Sequence, residues 1–392
     1  MDTRLTPHAW LSTEHATGSL AGVRVLDLSR VVAGPFCAQM LADHGADVIK
    51  VESAQGDETR RLGPPFIEPG QAAYFSALNR GKRGICLDLG QQQGRQIIFD
   101  LLAEADVLIE NFLPGTMEKW GLGFETELTT KFPRLIYCSI SGFGRTGPLG
   151  GLPGYDAVLQ AMCGLMSING DMQSGPTRVG VPIVDQVTGY TAFSGVLMAL
   201  LARQRTKRGQ RVDATLFDTA LSMLIPQGVN WMTSGQAPVL TGSAHPNIPT
   251  YDRFDVSDGQ MFLGIVNDAQ FARFCKQIQR EDLCNNPLFL DNSQRMANRQ
   301  ALRVELAGAL KNFSRSSLCQ ALMEVGVPAG PVNTVPEAFE QPHALARDMV
   351  IERPDYRGIG LPIKLSETPG QAGRRPPGLG EHNSEIIQSS PI

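Results

Sequence analysis

The sequence lacks most of the signatures that announce a metal or a serine nucleophile. Its six histidines include no pair at metal-ligand spacing, and HExxH, CxxC and GxSxG patterns are all missing. No metal is therefore expected, and neither metal-dependent hydrolysis nor Ser-triad chemistry fits. Positive charge is also scarce: 35 Lys and Arg against 39 Asp and Glu leave a formal charge of −4. Without a broad basic field the chain is not expected to bind nucleic acid, and any anion it takes must be held by a local cluster of cations and backbone N–H groups. The longest apolar stretch, residues 190–202, is well short of the ~20 residues that span a bilayer. Residues 1–18 carry Asp2, Arg4 and Glu14 and no apolar segment of the secretory kind. A soluble protein with no membrane partner is expected. The cysteines, seven in all and mostly inside apolar runs, read as reduced buried thiols, which suggests a cytoplasmic setting.

What is present is a long alternation of strands and helices. At 392 residues there is room for two cores. Residues 22–29 (GVRVLDLS) read as a buried strand, residues 36–44 as a helix begun by Pro35, and residues 46–52 (ADVIKVE) as a second strand. Strands at 83–89, 106–111 and 135–140 and a helix at 93–104 continue the pattern. The fold class is therefore α/β: a Rossmann-like large domain with a mostly parallel sheet, plus a smaller α+β domain. The expected boundaries are 1–225 for the large domain, 226–330 for the small one, and 331–392 for a Pro/Gly/Arg-rich segment returning to the large domain. Ligands bind such sheets at the carboxyl ends of the strands. The first loop reads RVVAGP where a dinucleotide site needs GxGxxG, so neither nicotinamide nor flavin is expected.

Asp185 stands out in VPIVDQVTG as a single carboxylate in an apolar stretch just before a long helix of small residues. At an N-cap it would stabilise that helix by about 1 kcal/mol. The helix end would also keep it ionised in an apolar cleft, as an attacking carboxylate requires. A basic group, Arg60, Arg61, Lys82, Arg83, Lys119 and Arg145, falls partly on ligand-facing loops, where it could hold phosphates or simply be solvated surface charge.

Several stretches in order resemble the class III CoA-transferases, the family of formyl-CoA and carnitine CoA-transferases: LAGVRVLDLSRVVAGPF, ETRRLGPPF, NRGKRGICLDL, VLIENFLPGTMEKWGLGFE, YCSISGFGRTGP, GYDAVLQAMCGLM, RVGVPIVDQVTG and PPGLGEHN. The resemblance implies an interlocked homodimer and a catalytic carboxylate at Asp185 that passes through an acyl anhydride and an aspartyl-CoA thioester. It implies coenzyme A, as an acyl-CoA substrate, contacting Val32 and Ala33, the nucleotide-facing run Leu87, Asp88, Leu89 and Gly90, Asn111, Phe112, Leu113 with Lys119 and Arg145, and Tyr155 with Asp156. The GPPF, YCSI and AGPF turns are nearest the glutarate-type members, implying succinyl-CoA as donor and a dicarboxylate acceptor. Where formyl-CoA transferase has a glycine-run flap, residues 242–247 here read GSAHPN. Alpha-methylacyl-CoA racemases share the fold and use His in a GHD motif; here it is Gly154-Tyr155-Asp156, and Tyr, with an ordinary pKa of about 10, is a poor base at neutral pH. A non-catalytic CoA binder on the same scaffold is the remaining alternative.

Overall fold

In the computed structural model, which describes residues 4–6, 9–12 and 17–388, the run GVRVLDLS extends as strand β1 (Arg24–Asp27). The reading of residues 1–18 lies largely outside the described residues. β2 (Asp47–Glu52), β3 (Arg83–Cys86), β4 (Val107–Glu110), β5 (Ile136–Ser141) and β6 (Arg211–Thr215) complete one sheet in the order β3-β2-β1-β4-β5-β6, parallel throughout. Alternate residues of the central strands feed two cores. Val25, Val107, Ile109 and Ile136 face one, and Leu26, Leu108 and Tyr137 the other. Burial on both faces explains why these strands read as near-continuous apolar runs.

Helices α1 (Ala33–Asp43) and α4 (Ile183–Thr206) cover the first face, and α2 (Gln92–Leu102) the second; the short α3 (Asp156–Met162) precedes α4. A Cβ on Gly189 would lie 2.9 Å from the Ala33 carbonyl oxygen, so glycine lets α4 settle closely onto α1. Pro35 lies in the first turn of α1 but not at its first position, since the helix begins at Ala33. With 24 residues, α4 is long and apolar enough to cross a bilayer, which the shorter run read from the sequence was not. It serves as a core helix, burying Val184, Ala192, Phe193, Val196 and Ala199.

The chain divides into two units: one takes the described residues through Leu165, Val179–Val229 and Pro342 onward, the other Met166–Arg178 and Asn230–Gln341. The second unit is built on the antiparallel strands β7 (Tyr251–Val256), β8 (Gly259–Gly264) and β9 (Ala329–Pro331), with its own core of Phe254, Met261, Leu263, Phe271 and Phe274. Residues 166–178 and 331–341 go with this unit, whereas the sequence boundaries put the first with the large domain and the second with the closing segment. Backbone bonds explain the first difference and an ion pair the second: Gly242 N–H donates to the Gly170 carbonyl at 2.9 Å, and Arg315 pairs with Glu337. Further on, the closing segment covers edge strand β3. Gly84 N–H donates to His382 Nδ1 at 3.1 Å, and Cys86 N–H to Asn383 Oδ1 at 2.8 Å.

Candidate active site

In this strand order the chain reverses direction across the sheet between β1 and β4, which opens a crevice at their carboxyl ends. Asn111, just past β4, closes a two-bond ring onto the turn after β1: its amide donates to the Arg30 carbonyl at 2.6 Å and accepts from Arg30 N–H at 2.8 Å. The turn is strained, with Val31 in the left-handed region at φ 69°, where a β-branched residue is an outlier costing about 1–3 kcal/mol. Asp57 helps hold it by accepting from Val31 N–H at 3.3 Å.

Two adjoining cavities line this crevice. One, of about 480 Å³, is walled by residues 87–90, Leu28 and Trp120 among others; the second, of about 240 Å³, by Val32, Ala33, Asn111, Tyr155 and Asp185 among others. Arg30, Phe112 and Leu113 line both. The crevice thus gathers most of the residues singled out from the sequence. Lys119, Arg145 and Asp156 line neither cavity.

Asp185 occupies the third position of α4 and not its N-cap, which is Pro182. The cap is supplied from a distance: Asp156 Oδ1 accepts from Val184 N–H at 2.7 Å and from Asp185 N–H at 3.2 Å, while its Oδ2 accepts from Gln160 at 2.7 Å. Asp185 is therefore spared the capping task, and it lines the second cavity. The helix end does not hold it ionised as expected. Burial lifts its pKa from 3.8 to about 7, and the Asp156 charge adds to the rise. Tyr74, which the sequence reading passed over, is close enough that, after burial, the Asp185 and Asp156 charges push its phenol up. Nothing in AAYFSALN marks it, because its neighbours Phe75 and Leu78 are ordinary core residues.

The sequence pattern of CoA-transferase family III matches residues 20–383. The chain belongs to this family. It is 39% identical to the succinate–glutarate CoA-transferase of Agrobacterium fabrum, over 94% of each chain. It is 38% identical to the succinyl-CoA:mesaconate CoA-transferase of Haloarcula hispanica, over 96% of this chain and 97% of that one. Among solved structures, a CAIB/BAIF family protein from Brucella suis superposes with a TM-score of 0.86 at 42% identity, covering 94% of this chain and 98% of that one. The protein is thus a CoA-transferase, an enzyme whose substrates are CoA thioesters.

Four of the six basic residues singled out from the sequence, Arg60, Lys82, Arg83 and Arg145, are engaged with carboxylates of the protein itself. Lys82 is fully buried, donating to Asp27 at 2.8 Å, Asn79 at 2.7 Å and the Pro35 carbonyl at 2.8 Å, and burial lowers its pKa to about 8. Burial works against the Asp27 charge as well, yet Lys82 and Lys50 outweigh it and leave that carboxyl lowered. Arg60 makes a two-pronged pair with Glu52, at 2.8 and 2.6 Å, over the Phe75 ring. Arg83 pairs with Asp47 and Glu385, and Arg145 with Glu118. Arg60 and Lys82 are committed to carboxylates at the carboxyl ends of β2 and β1, and Arg83 to Asp47 at the opposite end of the strands; removing one partner of such a buried pair leaves an uncompensated charge. In the second unit, the segment at 242–247 is tied down locally, with Asn247 N–H donating to His245 Nδ1 at 3.1 Å and Arg299 to the His245 carbonyl at 2.6 Å.

Proposed function

We infer that the enzyme transfers CoA from succinyl-CoA to a small dicarboxylate, with Asp185 as the nucleophile. The observation that carries this is the Asp185 carboxyl on the wall of a cavity that adjoins a second cavity of nucleotide size. The donor and acceptor classes rest on relatives named for glutarate and mesaconate, both dicarboxylic acids.

In this reading the Asp185 carboxylate attacks the thioester carbonyl, the C–S bond breaks, and CoA leaves as a thiolate, giving a mixed anhydride. The thiolate then attacks the aspartyl carbonyl and expels the donor acid as its carboxylate, leaving an aspartyl-CoA thioester. The acceptor carboxylate attacks that carbonyl, releases the thiolate again, and forms a second anhydride. Thiolate attack on the acceptor carbonyl yields the new acyl-CoA and restores the Asp185 carboxylate. No water enters and no net proton moves, so the thioester energy is conserved. The enzyme acts as a homodimer in the cytoplasm. Large apolar side chains left exposed on the first unit, Met198, Leu201, Leu221 and Ile225, support the dimer, and seven cysteines free of disulfides support a reducing compartment.

Asp185→Asn tests the mechanism. Incubated with succinyl-CoA and glutarate, the parent yields glutaryl-CoA and carries a transient mass adduct on the peptide containing Asp185. The variant is expected to lose transfer by several orders of magnitude while still binding CoA. Normal turnover by the variant, or an adduct on another residue, would overturn the assignment.

A further inference from the structure

The crevice poses an electrostatic problem. Coenzyme A carries a diphosphate and a ribose phosphate, yet both cavities are lined by carboxylates. Glu52 and Asp57 are neutralised by Arg60 and by Lys50, the latter at 3.2 Å, but Glu58, Asp88 and Asp185 also line the walls. Among the described residues, Arg30 is the one Lys or Arg that lines either cavity, and it lines both. Its place is built. The Asn111 ring fixes its backbone, Glu58 accepts from Nη1 at 2.8 Å, and the guanidinium lies 5.3 Å over the Phe112 ring. The side chain is still 46% exposed. A guanidinium has five N–H donors in a planar fork matched to phosphate oxygens, and Glu58 is its one side-chain acceptor among the described residues.

The geometry points to Arg30 as the group that binds the diphosphate bridge of coenzyme A, an assignment that rests on the transferase reading above. The larger cavity has room for the nucleotide, and the smaller one holds Asp185, where the thioester must arrive. The diphosphate is the link between adenosine and the pantetheine arm, so it passes the junction of the two cavities, where Arg30 stands. Asn111 then acts as a positioning residue: both polar atoms of its side chain are committed to the Arg30 backbone, so it aims the guanidinium and does not itself take the ligand.

Arg30→Gln separates this from the alternatives. Calorimetric titration with CoA is expected to show affinity reduced about tenfold, with an unchanged circular dichroism spectrum and a flatter dependence on ionic strength. In transfer assays KM for succinyl-CoA rises by a similar factor while KM for glutarate stays constant. With succinyl-pantetheine, which has no diphosphate, parent and variant have equal kcat/KM. Undiminished CoA affinity in the variant would overturn the assignment, as would an equal loss with succinyl-pantetheine. A raised KM for glutarate alone would instead make Arg30 a contact for the acceptor's remote carboxylate. Should the parent bind CoA and transfer nothing, the transferase reading fails, while the titration still decides the role of Arg30.

Discussion

The proposed nucleophile sits in an environment that opposes its charge. With its carboxyl raised from 3.8 to about 7 by burial and by Asp156, Asp185 is a mixture of acid and carboxylate at neutral pH, and only the carboxylate attacks. The kcat/KM for succinyl-CoA is therefore expected to rise with pH through about 7, a quantity that reports the free enzyme. Asp156→Asn keeps an oxygen for the cap on α4 and removes the charge, so the midpoint of that profile should move to lower pH; an unmoved midpoint would refute the coupling. The same shift has a stability consequence. A raised folded-state pKa means stability that is fully present below 3.8 and lost as pH rises through about 7. Asp185→Asn should thus melt a few degrees higher than the parent at pH 8, with the gap closing toward pH 4, as thermal unfolding at the two pH values would show. Asp185 was legible as an exception within an apolar run, but its titration was not. The residue that caps its helix and raises its pKa lies 29 positions earlier in the chain, and no local pattern joins them.

At the level of elements, strands of the parallel sheet declared themselves, and the one in that sheet that did not was β6. Arg211 and Asp213 interrupt its five residues, which become a strand because β5 supplies a parallel partner in register, Ala214 opposite Ile140. The edge at the other end of the sheet is closed by side chains instead of a strand, an arrangement that protects β3 from pairing with another chain. Asn383→Ala leaves the Cys86 N–H without its acceptor, and urea titration is expected to show a loss of about 1–2 kcal/mol; no loss would mean that water replaces the amide. His382 must be neutral at Nδ1 to accept from Gly84, and burial lowers its pKa. Its contribution is present above the unfolded value of about 6.5 and is lost as pH falls through the folded one. Stability should therefore decline more steeply between pH 7 and 5 in the parent than in His382→Ala.

For the molecule as a whole, Met198, Leu201, Leu221 and Ile225 are between 44% and 74% accessible, apolar surface that a second copy of the chain would cover. Sedimentation is expected to give twice the 42.5 kDa of one chain, and Met198→Glu with Leu201→Glu to shift the mass toward one chain; a parent that sediments as a single chain removes the dimer. The sequence by itself determined the parallel α/β architecture, since periodicity and turn residues act over a few positions, and it determined the family, since its motifs recur in order along the chain. Only the tertiary structure decided which charges are paired within the protein and which one is left lining the crevice. Arg60, Lys82 and Arg83 stood out in the linear reading, and Arg30 did not. Partners supplied by distant strands bury the first three, and the fold leaves Arg30 at the junction of the cavities, because pairing and desolvation depend on neighbours in space and not on neighbours in the chain.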